Sequence, residues 1–348
     1  MTFAKRPERG RTPSRYAPVI AIALVFSLIL ALGPISAAVE HKKPVDKDLI
    51  IWTDPGDIKS KNLFYGPGGR EGQPKLPVTF LEEDLGGHSP KFDVRDAAGK
   101  KWKAKIDVEA HTETVASRLL WAVGYFANEN YVFPILKVEG LPSHLTRGQE
   151  FVGPEGEVRG VRLQTHPDSL KKGKTWSWHK NPFKRTREFN GLRVMMAVIN
   201  NWDLKNDNNG IFVNSDSPAR KIYGVSDVGA SFGSSGESYT NKGSKGNLPA
   251  YRHSGFLSKV DRHHVDFNFP THLPFLYIFN LPHFISEFRN RSIGKHIPRD
   301  DAKWTGSLLA QLTPEQIRDA FRAGGYSPEQ AEGFATIVEK RIAQLNAL

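Results

Sequence analysis

The tightest constraint on the fold lies between residues 188 and 229. In "EFNGLRVMMAVINN", Leu192, Met195, Met196 and Ile199 fall at i, i+3, i+4 and i+7, the stripe of a helix that must bury one face. Both methionines read as core, not as cofactor ligands. The stripe stops at "NNWDLKNDNNGI" (200–211), where five asparagines mix with Asp203, Lys205 and Asp207. "GIFV" and "KIYGVSD" then read as two short strands bracketing the turn "NSDSPAR". A buried helix therefore hands a polar loop straight to a hairpin. A loop that only turned could order Gly, Ser and Asn freely, whereas Asp, Lys and Asn at fixed spacing suit side chains aimed at one reaction centre. The plainer alternative is an Asx-rich helix exit that satisfies orphan carbonyls.

Upstream, "VTFLEED" (78–84), "KFDVRD" (91–96) and "KWKAKID" (101–107) have strand composition or alternation. The turns "LGGHSP" and "AAGK" predict a three-stranded antiparallel meander. "TETVASRLLWAVGY" predicts a helix over 112–125, and "YVFPILKVEGL" returns to extended structure, so a first segment ends near residue 140. Residues 39–76 read as an irregular lead-in, "KTWSWHKNPFKRTR" gives no clear pattern, and the Gly- and Ser-rich stretch 233–256 predicts a long mobile loop. Near the end, Thr313, Pro314 and Gln316, then Ser327, Pro328 and Gln330, supply two capping boxes, the first with Leu312 and Ile317 as a hydrophobic staple. Phe334, Val338, Ile342 and Leu345 predict a buried face on the last helix.

The 348 residues are 39% hydrophobic and 24% charged, enough for one large or two small cores. "MTFAKRPERGRTPSR" is basic, and an apolar run over 17–33 precedes Ser36 and Ala38, small residues that suit signal peptidase. The expectation is a signal peptide over 1–38 and an exported, periplasmic or extracellular protein, with a retained membrane anchor at 17–33 as the alternative. Losing five basic residues and one acidic residue would lower the formal charge from +11 to +7. The cations are scattered without interleaved aromatics, which argues against nucleic acid. With no cysteine, disulfides, thiol catalysis and thiolate metal sites are excluded.

A magnesium-nucleotide phosphotransferase needs a carboxylate to orient the attacking hydroxyl, oxygen ligands for Mg²⁺ and a cation on the phosphates. Asp203, Lys205 and Asn208 form D-x-K-x-x-N, and "VSDVGASFG" places Asp227 at a strand end two residues before Gly229. "WDLKNDN" resembles the catalytic loop of the protein kinase-like superfamily, and "SDVG" resembles its D-F-G motif. The resemblance spans roughly residues 78–229 and implies an α+β, two-lobed protein kinase-like fold, with a small antiparallel β-rich first lobe and a mainly helical second. It implies Asp203 as base, Lys205 as charge stabiliser, and Asn208 and Asp227 as ligands of Mg²⁺ or Mn²⁺. It further implies Lys105 on the ATP phosphates, paired with Glu113.

The sequence departs from that pattern in places. No G-x-G-x-x-G occurs, and "DLGGHSPKFDV", with Gly86 and Gly87, is the candidate nucleotide-covering turn. Trp202 stands for the usual Arg, Val228 for Phe, and no A-P-E follows. These departures fit the atypical branches, including HipA-type, phosphoinositide-type and secretory-pathway kinases. Lys101 and Lys103 share a strand face with Lys105, and Glu109, read as preceding the helix, competes with Glu113 or only caps it. "KVDRHHVDFNF" offers Asp261 as a rival catalytic residue, but Asp266 stands where an Asn is needed, and the adjacent His263 and His264 make a poor zinc pair. The expected function is ATP-dependent phosphoryl transfer to a protein, lipid or sugar hydroxyl. The alternatives are an inactive kinase-fold module for an anionic ligand or protein partner, and a nucleotidyltransferase.

Overall fold

The computed structural model describes residues 45–87, 89–165, 170–235, 244–269 and 289–348. The expected signal peptide or anchor, and part of the lead-in, lie outside them; among the described residues no helix is long and apolar enough to cross a membrane.

After β1 (Leu49–Ile50), the three expected strands form as β2 (Val78–Glu83), β3 (Lys91–Asp96) and β4 (Lys101–Ile106), paired antiparallel in sequence order. Their alternation turns Val78, Phe92, Val94, Trp102, Ala104 and Ile106 into one apolar interior. The meander does not stay open. After helix α1 (Val108–Ala122), strands β5 (Glu129–Glu139) and β6 (Glu157–Thr165) complete a closed barrel ordered β2-β3-β4-β6-β5, with β2 and β5 parallel. Closure removes both free edges. The barrel thus draws its last strand from beyond residue 140.

α1 starts four residues earlier than its sequence pattern predicts. Asp107, at φ 140°, is its N-cap, and its side chain accepts from the Val108 amide at 2.5 Å. Glu109 therefore sits in the first turn and does not cap the helix.

The remaining elements are β7 (Leu170–Lys172), α2 (Arg187–Val198), β8 (Asn209–Asn214), β9 (Lys221–Val225), α3 (Leu248–His253), β10 (Leu257–Val260), β11 (His264–Phe267), β12 (Ile297–Pro298), α4 (Arg299–Leu309), α5 (Pro314–Ala323) and α6 (Pro328–Asn346). β1-β9-β8-β7 and β10-β11-β12 form two smaller sheets. The predicted stripe of α2 is buried, and so are Phe189, Val194, Ala197 and Val198, because α4 and α6 also pack on this helix. Both capping boxes form, and Phe334, Val338, Ile342 and Leu345 are in the core.

The structure fills in one unread stretch and changes one expectation. Trp176, Trp178 and Phe183, from the stretch without a clear pattern, are core residues. The stretch expected as a long loop contains α3, capped by Asn247 through the Ala250 amide at 2.9 Å; its residues 236–243 lie outside the described set.

Candidate active site

The polar loop leaves α2 through a Schellman turn. Asn200 N–H bonds Ala197 O at 3.0 Å and Asn201 N–H bonds Met196 O at 2.9 Å, while Asn200 takes φ 54°. Asparagine tolerates that left-handed conformation better than most residues. Asn201 Oδ1 then accepts the Asp203 amide at 2.9 Å, an Asx turn that sets the direction of the loop. Several of the asparagines are thus backbone devices, as the plainer alternative holds, and they position the charged residues between them.

Asn208 links the rest. Its Nδ2 donates to Asp203 O at 2.7 Å, and its own carbonyl accepts the amides of Ser226 at 2.7 Å and Asp227 at 3.1 Å. Asp203, Asn208 and Asp227 are therefore brought together at the base of the β8–β9 hairpin, with Lys205 Nζ 3.0 Å from Asp203 Oδ1. Lys172 Nζ reaches Ser226 Oγ at 2.8 Å from β7.

From the barrel, Lys105 points toward this hairpin. The strand period puts Lys101, Lys103 and Lys105 on one face, yet only Lys105 is buried, because α1 covers its end of β4. Its ammonium lies 2.7 Å from Glu109, 3.3 Å from Glu113 and 3.8 Å from Asp227. Burial opposes this charge, but the facing carboxylates of Glu113, Asp227 and Glu109 outweigh it and raise the Lys105 pKa above the ordinary range. Lys101 and Lys103 instead pair with Asp93 on the exposed side.

Glu109 is a partner of Lys105 in its own right, nearer than Glu113. It also binds Lys245 and accepts from Ser89 Oγ at 2.6 Å, which ties the Gly86–Gly87 turn to the site. That turn is closed by Asp84 and by Arg147 Nη1 donating to Gly87 O at 2.6 Å. Gly229 lies against the same side chain: a Cβ there would stand 3.1 Å from Glu109 Cβ. Thr112 Oγ1 donates to Gly229 O at 2.6 Å and anchors α1 to the Asp-Val-Gly segment. Arg162, which no sequence motif marks, is buried and pairs with Glu113 at 2.6 Å from the β6 position opposite Lys105. Its only signal is a charge on the outer face of an alternating strand.

Asn208 and Asp227 suit a hard cation. Both offer oxygen donors, the Asn208 amide is oriented by its bond to Asp203 O, and the Asp227 side chain is 43% exposed. Among the described residues no group of three or more His, Asp or Glu is arranged to hold a metal, the His263–His264 pair included. Asp261 is a hairpin residue whose carboxylate accepts the His263 and His264 amides at 2.9 and 2.8 Å.

The charge cage carries a pH signature. Burial would raise the Glu109 carboxyl, but the Lys105 ammonium and hydrogen bonds from Lys105, Lys245 and Ser89 hold it at about 2. A depressed carboxyl contributes stability that is complete above its unfolded value near 4.5 and is lost as pH falls toward 2. Urea unfolding of the parent and Glu109→Gln across that window is expected to show a shallower pH dependence in the variant, by about 2–3 kcal/mol. Equal slopes would remove Glu109 from the cage.

No protein-family model matches the chain. No curated protein sequence matches it. Among solved structures it is similar to the crystal structure of a Helicobacter pylori proinflammatory kinase CtkA, at 12% identity and a TM-score of 0.41, over 77% of this chain and 95% of that one.

Proposed function

We propose that the protein is an exported, two-lobed kinase-like phosphotransferase that moves the γ-phosphoryl group of ATP to a hydroxyl acceptor. The observation that carries this reading is the convergence on Lys105 of Glu109 and Glu113 from α1 and Asp227 from the β9 exit, with Asp227 joined through Asn208 to Asp203. In this reading Asp203 orients the acceptor and takes its proton as the new P–O bond forms and the bond to ADP breaks. Lys205 neutralises charge developing on the transferred group, and Lys105 holds the remaining phosphates. Asn208 and Asp227 would hold Mg²⁺ or Mn²⁺, which when bound offsets phosphate charge. The Gly86–Gly87 turn would cover the nucleotide.

One observation favours the second reading, an inactive binding module. Lys105 has three donor hydrogens, and Glu109, Glu113 and Asp227 surround it. A phosphate must compete with these carboxylates for the ammonium. Thermal unfolding with ATP and Mg²⁺ separates the readings, since a ligand that binds the native state raises its stability by mass action. At a hundredfold excess over Kd, the parent is expected to gain roughly 4 °C or more. Asp227→Ala is expected to lose that gain. No metal-dependent gain at millimolar nucleotide selects the module. Mass spectrometry of the acceptor then distinguishes an added phosphoryl group from an added nucleotidyl group.

A further inference from the structure

A cavity of about 570 Å³ lies between the start of α2, the loop before it and the β11–β12 region. Four of its lining residues carry fixed positive charge, Lys184, Arg185, Arg193 and Arg289, and His179, His264 and His296 join them. No acidic residue lines it among the described residues. The neighbouring carboxylates are already engaged: Asp266 holds Lys295 at 3.7 Å and accepts the His296 amide at 2.7 Å, Asp301 accepts from Asn190 at 2.7 Å, and Asp261 lies 3.9 Å from His264.

Trp178 lines the cavity, is 3% exposed, and its indole N–H has no hydrogen-bond partner. His179 Nε2, beside it, is also buried without one. A buried polar atom left unmatched costs stability, and both of these are closed off from solvent. Arg193 is fixed in the wall by Ile293 O and Lys295 O, each at 2.6 Å, so its charge is preorganised.

We infer that this cavity binds a phosphate monoester, with Lys184, Arg185, Arg193 and Arg289 offsetting its two charges. Like-charged groups facing one space repel, and a compact dianion relieves more of that repulsion than a monoanion. The volume exceeds what a bare phosphate fills, and Trp178 and Phe189 give the organic part an apolar wall. Burial and the charges of Arg289, Lys184 and Arg193 lower the pKa of His179, consistent with a positive field that Asp266 and Asp301 offset only at Arg193. The inference does not depend on the function proposed for the other site.

The test is calorimetric titration of the full chain with inorganic phosphate and with glycerol 3-phosphate, alongside sedimentation with phosphatidylcholine vesicles containing phosphatidic acid. The expected result is saturable binding that weakens about tenfold or more in Lys184→Gln/Arg289→Gln. Lys184 and Arg289 are exposed, so this double variant should keep the parent melting temperature. Sensitivity of the vesicle arm to the double variant assigns a lipid headgroup; sensitivity of the soluble arm alone assigns a free phosphate ester. Phosphate bound near Lys105, or vesicles bound through the apolar N-terminal run, would be indifferent to both changes. Such indifference, or no binding of any probe, overturns the inference.

Discussion

Asp203→Asn is expected to lower phosphoryl transfer about a thousandfold while leaving the Asp227-dependent stabilisation by ATP and Mg²⁺ intact. The exchange is nearly isosteric, and the bonds that shape the loop use the main chain of residue 203: its amide donates to Asn201 Oδ1 at 2.9 Å, and its carbonyl accepts from Asn208 at 2.7 Å. Both survive the substitution. What is lost is the carboxylate, and with it the pairing to Lys205 at 3.0 Å and the capacity to accept a proton. ATP turnover by parent and variant, measured with thermal shift on the same samples, checks this. Unimpaired turnover in the variant would exclude Asp203 as the base, whereas loss of both properties would mean that the loop itself had collapsed.

The parts of this architecture that local chemistry determines are legible in the amino-acid order alone. The α2 stripe, the two capping boxes and the strands flanking "NSDSPAR" each depend on neighbours within a few positions, so periodicity and cap residues specify them. Barrel closure is not legible, because the parallel pairing of Val78 with Val138 joins residues whose sequence carries no mark of the partner. The same limit applies at the site. Alternation gives Lys101, Lys103 and Lys105 equal standing, and only the packing of α1 decides that the third is buried. Asp203, Asn208 and Asp227 are readable as a spaced set, but Arg162 and Lys245 reach Glu113 and Glu109 from segments with no motif of their own. Glu109 stands in the sequence only as a competitor of Glu113, for a local reason: the helix starts at an unusual N-cap, Asp107 at φ 140°, so its first turn reads as preceding the helix.

The support for the catalytic-type loop lies at the far end of the chain, and it makes the second large effect. Arg341 of α6 is 3% exposed and donates to Ala197 O at 2.8 Å and Val198 O at 3.0 Å, the last carbonyls of α2. Tyr251 OH adds a bond to Val198 O at 2.6 Å, and the guanidinium also bonds Ser254 Oγ at 2.7 Å while lying 4.2 Å from the Tyr251 ring centroid. A buried cation is costly. Here the negative end of the α2 dipole, its carbonyl oxygens and an aromatic face compensate it without a carboxylate. Arg341→Met keeps much of the length and apolar stem but leaves those carbonyls short of donors, so unfolding stability is expected to fall by about 3 kcal/mol, roughly 6–10 °C in Tm. Arg341→Lys should recover only part of this, since an ammonium cannot fork between Val198 and Ser254. Arg318→Met, which cuts exposed pairs to Glu315 and Glu332, should leave Tm unchanged. If Arg341→Met melts with the parent, the Schellman turn and the Tyr251 bond to Val198 O hold the α2 exit without it. If it melts early and also loses nucleotide-dependent stabilisation at temperatures where it is still folded, the position of Asp203 depends on this distant clamp.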